Sequence, residues 1–297
     1  MKNVSGANAE DHYLQLDNNE KALLSALCAD NSGYDNVILI INCATSMELG
    51  FLTDNEYGSK LKGALWVGTT GGTGMNALGK ILTGQVNPSG RLVDTYAANF
   101  ESAPSWYNFS NNLVQGGNQY LVSGAAQNAY FVEYEEGIYV GYRYYETRGY
   151  TDGEDWYKEN VVYPFGYGLS YTQFDWTLKS AKIDGETLEG ATSTSVDAAK
   201  NITLEVEVQN NGQYDGKDVV QLYISAPYTS GGIEKSHVVL GAFAKTPVVS
   251  ANGGKQTVIL EFDLRDIASY DYSDANDNGK AVYEADNGDY TLYIGKN

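Results

Sequence analysis

The stretch Val37-Ile-Leu-Ile-Ile41 is an unbroken run of large aliphatic side chains. A run of this kind predicts a strand that is buried on both faces, as strands of parallel sheets usually are. Upstream, Asp17 stands three residues before Glu20, the spacing of a capping box, and apolar residues at helical spacing predict a helix over 18–29. A helix followed by a buried strand indicates an α/β domain with a parallel sheet.

A glycine-rich turn continues this pattern. We expect a crossover over 57–62, a second strand over 64–67 and, after Gly68-Thr-Thr-Gly-Gly-Thr-Gly74, a helix over 75–82. The turn lacks the GK[ST] ending of a P-loop and the GxGxxG frame of a dinucleotide site. We interpret its glycines as a tight loop that lets a ligand or another domain approach the backbone closely.

Composition and charge exclude several classes of partner. The 297 residues correspond to two domains at about 150 residues per domain. With 38 acidic and 19 basic residues the net charge is −19, which argues against nucleic acid and anionic membranes as partners. No apolar run is long enough to span a membrane and no targeting pattern is visible, so we expect a soluble chain and leave open whether it is cytoplasmic or extracellular.

Few residues suit metal or nucleophilic chemistry. His12 and His237 are the only histidines, which excludes a site of several histidines and leaves no support for a serine hydrolase triad. Cys28 and Cys43 lack metal-ligand spacing, and we interpret them as small buried hydrophobic residues, with a disulfide as the alternative. The sequence therefore predicts neither a metal nor a cofactor.

Residues 97–168 are rich in Tyr, Asn and Gly and are too many for an ordinary connection. Within them, Glu135–Tyr145 alternates aromatic and other residues. Aromatic rings stack on sugar faces while carboxylates bind the hydroxyl groups, so this composition suits sugar recognition. It equally suits tyrosines packed in a seam between domains, and both interpretations stay open.

From Phe174 onward the pattern predicts an all-β domain. Ile202–Val208 alternates with period two, and further strands are expected over 219–224, 237–243, 256–262 and 290–294. Short strands separated by turns are typical of a β-sandwich, here of about 120 residues. The segment 274–279 matches the first half of an EF-hand calcium loop, but Ala285 stands at the twelfth position, so we predict a polar hairpin instead.

Three pairs of segments, in this order along the chain, carry a family resemblance. They are Trp66-Val-Gly-Thr-Thr-Gly-Gly-Thr-Gly74 with Asn87-Pro-Ser-Gly-Arg-Leu92, Glu136-Gly-Ile-Tyr-Val-Gly-Tyr-Arg-Tyr-Tyr145 with Tyr163-Pro-Phe-Gly-Tyr-Gly-Leu-Ser170, and Gly216-Lys-Asp-Val-Val-Gln-Leu-Tyr223 with Gly288-Asp-Tyr-Thr-Leu-Tyr-Ile-Gly295. Together they resemble glycoside hydrolase family 3, the β-glucosidase and β-xylosidase family, over nearly the whole chain. The resemblance implies a partial α/β sandwich with a parallel sheet over 1–100, an aromatic-rich connector over 101–173 and a fibronectin type III-like β-sandwich over 174–297.

The resemblance also implies a chemistry that this chain does not complete. The family's enzymes are retaining and use an aspartate nucleophile on a TIM barrel with a glutamate acid/base on the α/β sandwich. A barrel needs about 250 residues of its own, so the nucleophile lies outside this chain. We expect a barrel supplied in cis or in trans, a β-linked oligosaccharide cleaved at its non-reducing end, and no activity from this chain alone. The alternative is a non-catalytic carbohydrate-binding or scaffold protein derived from such an enzyme.

Candidate site residues follow from the matching positions. Alignment on Gly6 puts Ala7 where the family carries its acid/base glutamate, while a shift of three residues offers Glu10. Either Glu10 serves as the acid/base or that group is missing here. Trp66, Glu136 and Arg143 are candidates for sugar contact. The structural alternatives are core or seam packing for Trp66, and an ion pair that braces the domain seam for Glu136 and Arg143.

Overall fold

The computed structural model describes residues 14–53, 57–106, 119–122, 125–131, 134–188, 201–279 and 281–295. The chain divides into two compact units, each discontinuous in sequence. Unit 1 consists of Met1–Leu78 and Asp94–Pro164, and unit 2 of Gly79–Val93 and Phe165–Asn297. The domain limits predicted at residues 100 and 173 stay a prediction.

Helix α1 (Asn18–Cys28) belongs to unit 1, and its first turn has the predicted capping box. The Asp17 carboxylate accepts the amide of Glu20 at 2.9 Å, and the Glu20 carboxylate accepts the amide of Asp17 at 2.7 Å. At the other end, the Lys60 ammonium donates to the carbonyl of Ala29 at 2.6 Å. A cation at the last carbonyls complements the helix dipole, so both ends of α1 are capped by side chains.

Strands β1 (Val37–Ile41) and β2 (Leu61–Trp66) form the predicted parallel pair. The predicted burial of β1 on both faces is wrong, because Ile38 is 53% exposed whereas Ile41 is 6% exposed. In the described part of the chain this sheet contains only these two strands. Helix α2 (Met75–Leu82) has the predicted limits.

The connector is more regular than its composition indicates. Strand β3 (Tyr96–Ala97) is followed by the antiparallel pair β4 (Gln119–Val122) and β5 (Ala125–Tyr130), then by helices α3 (Tyr142–Asp152) and α4 (Glu154–Asn160) and strand β6 (Val161–Tyr163). Strand β6 pairs antiparallel with β3. Among the helices that the structure describes, none combines the length and apolar character needed to cross a bilayer.

Aromatic side chains hold α3 and α4 together. The ring of Tyr145 stacks on Trp156, with centroids 6.3 Å apart, and the ring of Tyr144 meets Trp156 edge-on at 6.1 Å. The Arg148 guanidinium lies 4.6 Å from the centroid of Trp156, a cation–π distance. Tyr144 and Tyr145 therefore pack inside unit 1.

Unit 2 is built around the predicted β-sandwich. Its strands are β7 (Phe174–Ile183), β8 (Glu186–Thr187), β9 (Asn201–Asn210), β10 (Val219–Ser225), β11 (Val239–Lys245), β12 (Lys255–Asp263) and β15 (Thr291–Gly295). One sheet has the order β12–β9–β7–β8 and the other β11–β10–β15. Alternate residues of β9 are buried, as the period-two pattern predicts. Ile202, Leu204, Val206 and Val208 supply its part of the core.

Residues 79–93 belong to the same unit as the sandwich. The side-chain oxygen of Asn87 accepts the Ser170 hydroxyl at 2.9 Å and the Tyr171 amide at 2.8 Å. Its side-chain nitrogen donates to the carbonyl of Asp215 at 3.0 Å. One amide side chain thus joins three parts of the sequence within unit 2.

The segment with EF-hand-like spacing is a hairpin, as predicted. It lies between β13 (Ser269–Tyr270) and β14 (Tyr283–Glu284), which pair antiparallel. The Asp274 carboxylate accepts the amides of Asn278 at 2.9 Å and Gly279 at 3.0 Å, which closes the loop on itself.

Candidate functional site

Trp66 lies at the carboxyl end of β2, the edge at which α/β proteins bind ligands. Its indole nitrogen donates to the carbonyl of Cys43, just beyond the end of β1, at 2.8 Å. A Cβ on Gly68 would lie 3.1 Å from the ring, so glycine at this position keeps room for the indole. The ring is half-buried and fixed at the strand ends, which suits either stacking on a sugar or packing.

A second polar group lies close to Cys43. The Ser46 hydroxyl donates to the Asp94 carboxylate, whose other oxygen accepts the amide of Thr95 at 2.9 Å. Burial, then the Asp94 carboxylate and the Cys43 thiol, raise the pKa of Tyr96 to about 12. The phenol therefore stays neutral near pH 7.

Glu48 is a buried carboxylate that the sequence analysis missed; it is 7% exposed. One oxygen accepts the side-chain nitrogen of Gln15 at 2.7 Å, and the other accepts the amide of Phe100 at 2.7 Å. The amide of Glu48 donates to the carbonyl of Leu14 at 3.0 Å. An acidic residue within the otherwise apolar Met47–Leu49, shortly after a predicted strand, is the signal from which the role of Glu48 could have been proposed.

Glu136 and Arg143 lie on either side of the start of α3 and are both half-buried. The Oε2 atom of Glu136 is buried and has no hydrogen-bond partner among the described residues. Among the ion pairs between described residues, none joins Glu136 to Arg143. Because a buried carboxylate oxygen without a donor is costly, Glu136 is suited to accept a hydrogen bond from a bound group.

Glu10, the candidate acid/base, lies outside the described residues. Of the other candidates, Trp66 is placed at the strand ends, Glu136 ahead of α3 and Arg143 in the first turn of α3, all within unit 1. Their roles in sugar contact therefore stay predictions.

Other reactive groups add little to this site. Among the described residues, no cluster of three or more His, Cys, Asp or Glu side chains has the arrangement of a metal site. Cys28 and Cys43 are free thiols, so the disulfide alternative is wrong. Burial lowers the pKa of His237, which favours a neutral imidazole near pH 7.

Comparison with known protein families agrees with this architecture. Residues 2–142 match the glycosyl hydrolase family 3 C-terminal domain. Residues 218–297 match the fibronectin type III-like domain. The α/β region comes before the sandwich in the chain, and the two matches have the same order. They define the class as a glycoside hydrolase domain with a fibronectin type III-like domain.

Individual relatives match almost the entire chain. Beta-glucosidase A of Butyrivibrio fibrisolvens is 35% identical over 288 residues, which is 96% of this chain and 30% of the relative. A beta-glucosidase of Ruminococcus albus is 34% identical over 284 residues, which is 95% of this chain and 24% of the relative. This chain therefore spans less than a third of the length of the curated relatives that it matches.

Solved structures give the same result. A beta-glucosidase from Paenibacillus barengoltzii matches with a TM-score of 0.77 and 31% identity, over 95% of this chain and 26% of that chain. Beta-glucosidase 3B from Thermotoga neapolitana, in complex with glucose, matches with a TM-score of 0.68 and 30% identity, over 95% of this chain and 32% of that chain. The chain belongs to glycoside hydrolase family 3 and corresponds to its C-terminal portion, which confirms the resemblance and the fold class predicted from sequence.

Proposed function

We propose that this chain is the C-terminal part of a retaining β-glycosidase and forms one wall of its active site. The substrate is a β-linked oligosaccharide, from whose non-reducing end glucose or xylose is released. The observation that carries the proposal is the extent of the match, 96% of this chain but 30% of Beta-glucosidase A. The remainder of such an enzyme, including a barrel with the nucleophile, is supplied in cis or in trans.

The residues of this chain take three kinds of role in that site. Glu10 protonates the leaving oxygen and later activates water, since a retaining mechanism needs one acid/base facing a nucleophile at about 5 Å. Trp66 stacks on the apolar face of a sugar ring from its fixed position at the strand ends. Glu136 accepts a sugar hydroxyl through its unpaired oxygen, and Arg143, at the start of α3, donates to another.

Reconstitution tests this proposal. The 297 residues alone are assayed on nitrophenyl β-glucoside and β-xyloside, beside a fusion in which they replace the matching third of Beta-glucosidase A from B. fibrisolvens. We expect turnover from the fusion and none above background from the chain alone. A Glu10→Gln fusion should lose activity, with partial rescue by azide on substrates with good leaving groups. Robust turnover by the unfused chain would refute the proposal that the nucleophile lies outside this chain.

The second candidate is a non-catalytic carbohydrate-binding or scaffold protein. Ala7 at the position of the family's acid/base favours it. Calorimetric titration of the chain with cellobiose and xylobiose separates the two candidates, because a binding module binds a sugar without the barrel. Half of a composite site binds neither sugar well.

A further inference from the structure

Four asparagine residues in this chain are followed directly by glycine. All of these pairs lie among the described residues: Asn211–Gly212, Asn252–Gly253, Asn278–Gly279 and Asn287–Gly288. Asparagine is a thermolabile residue, because its side-chain amide can be attacked by the backbone nitrogen of the residue that follows. Glycine at the following position has no side chain to block that approach. The sequence alone therefore does not distinguish the four pairs.

The structure holds the glycine amide in three of these pairs. The amide of Gly212 donates to the side-chain oxygen of Asn210 at 3.0 Å, and the amide of Gly253 donates to the carbonyl of the same residue at 2.7 Å. The amide of Gly279 donates to the Asp274 carboxylate at 3.0 Å. A bonded amide must break its hydrogen bond before its nitrogen can turn toward the preceding side chain. Reaction at these three pairs therefore requires local opening of the structure.

The fourth pair lacks this protection. Among the described residues, the amide of Gly288 has no hydrogen-bond partner. Asn287 and Gly288 are both exposed, and they lie in the connection between β14 and β15. Water therefore reaches this pair, and the nitrogen of Gly288 can attack without prior loss of a hydrogen bond.

We propose that Asn287 is a site of spontaneous deamidation. The backbone nitrogen of Gly288 attacks Cγ of Asn287, so an N–Cγ bond forms while the Cγ–Nδ2 bond breaks. Nδ2 takes the amide proton of Gly288 and leaves as ammonia, and a succinimide ring remains. Water then opens the ring at one of its carbonyls, giving aspartate or isoaspartate at position 287. The attack is intramolecular, so its entropic cost is small and no enzyme is required.

The modified residue adjoins a buried ion pair. Asp286, directly before Asn287, accepts the ammonium of Lys235, whose side chain is 3% exposed. The same ammonium donates to the carbonyl of Pro227 at 2.7 Å. A Cβ on Gly288 would lie 2.7 Å from the Cβ of Pro227, so the chain directly after Asn287 has little room to move.

Isoaspartate disturbs this arrangement through the main chain as well as through charge. It adds a methylene group to the main chain between Asp286 and Gly288, and it places a new carboxylate between Asp286 and Asp289. A buried ammonium is costly when its counter-charge is displaced, so movement of Asp286 destabilises the part of unit 2 around Lys235. The aspartate product adds only the charge. We therefore expect isoaspartate to lower the stability of unit 2 more than aspartate does.

Ageing of the 297-residue chain at mildly alkaline pH tests the proposal, because base activates the attacking nitrogen. Peptide mass spectrometry follows each pair through the mass change from an amide to an acid. In the native chain we expect Asn287 to react about 10-fold or more faster than the other three asparagines, since those wait for local opening. In urea, where no pair is protected, the four rates should become similar. Similar rates in the native chain, or faster reaction at another pair, would overturn the proposal.

Variants at position 287 separate the reaction from its effect on stability. Asn287→Gln is the control that reacts much more slowly, because its longer side chain must close a larger ring, and Asn287→Asp supplies the aspartate product alone. On ageing we expect the melting temperature of the wild type to fall by at least about 2 °C as isoaspartate accumulates, while that of Asn287→Gln stays constant. Fresh Asn287→Asp should melt close to the fresh wild type. An aged wild type that contains isoaspartate at position 287 and melts unchanged would show that the Lys235–Asp286 pair is not disturbed, contrary to the proposal.

Discussion

Arg91 donates through Nη2 to the fully buried carboxylate of Asp218, 127 residues further along the chain. The other oxygen of Asp218 accepts the indole nitrogen of Trp176 at 2.9 Å, and the amide of Asp218 donates to the Thr246 hydroxyl at 3.0 Å. The segment before Leu92 is thereby anchored to strands β7 and β10 inside unit 2. This ion pair explains why residues 79–93 and the sandwich form one compact unit.

Asp218→Asn should strongly destabilise unit 2. The variant keeps the shape of the side chain but leaves the Arg91 cation without its counter-charge, and breaking a buried pair costs about 3–5 kcal/mol. Urea unfolding followed by tryptophan fluorescence measures the effect. The exposed pair Lys158–Glu154 is the control, and Glu154→Gln should leave the free energy of unfolding nearly unchanged, because solvent screens an exposed pair. Equal effects of the two substitutions would mean that burial of the Arg91–Asp218 pair does not matter.

Gly166→Ala should destabilise the same unit for two reasons. Gly166 has a φ of +82°, and a Cβ there would lie 2.3 Å from the side-chain oxygen of Gln221, itself buried on β10. Positive φ alone costs a non-glycine residue about 1 kcal/mol, and the clash adds to it. Gly84→Ala isolates the first contribution, because Gly84 has a φ of +74° with open space around it. We expect the melting temperature to fall clearly more for Gly166→Ala than for Gly84→Ala.

The sequence predicts those parts of this fold that depend on local pattern. The capping box of α1, the limits of α2 and the alternation of β9 all follow from residues close in the chain. Helix α3 is different, because its sequence, YRYYETRGYTD, has no apolar stripe and contains Gly149. A Cβ at Gly149 would lie 2.5 Å from the Tyr157 ring, so close packing on α4 determines this helix.

The candidate site, like the fold, could be predicted from the sequence only where local pattern determines it. Trp66 could be proposed from its position just before the glycine-rich turn, and the structure places it at a strand end. The Gln15–Glu48 bond links residues 33 positions apart, and only the folded chain shows that they meet. Long-range pairs of single polar residues leave no periodic pattern in a sequence.

The stability of unit 1 should depend on the ionisation of Glu146. Burial raises the pKa of this carboxyl, and the hydrogen bond from Tyr157 offsets only part of that effect. The folded state therefore holds the proton more tightly than the unfolded state, so stability falls as pH rises from the ordinary value of 4.5 through the raised pKa. Glu146→Gln removes this loss. Unfolding in urea across that range should show the variant gaining stability over the wild type as pH rises, and a constant difference would contradict the assignment.

Glu136→Gln should separate stability from substrate binding. The Oε2 atom of Glu136 is buried without a hydrogen-bond partner among the described residues, so replacing the charge with a neutral amide relieves a desolvation cost. In the isolated chain we expect the free energy of unfolding to stay equal or to rise by about 1 kcal/mol. In the active fusion we expect KM for nitrophenyl β-glucoside to rise about 10-fold, because a carboxylate accepts a sugar hydroxyl more strongly than an amide does.

The two measurements on Glu136→Gln must diverge for the proposed role to hold. If Glu136 only braced the chain ahead of α3, its substitution would lower the stability of the chain. KM would then stay unchanged, because a smaller folded fraction lowers only the apparent kcat. A residue kept for a ligand shows the opposite pattern, since an unpaired buried group is tolerated where binding later supplies its partner. Arg143→Lys provides the comparison, because it keeps the positive charge at the start of α3 but not the planar fork of donors. If Glu136→Gln destabilised the isolated chain and left KM unchanged, Glu136 would be structural, and its assignment to the sugar site would be withdrawn.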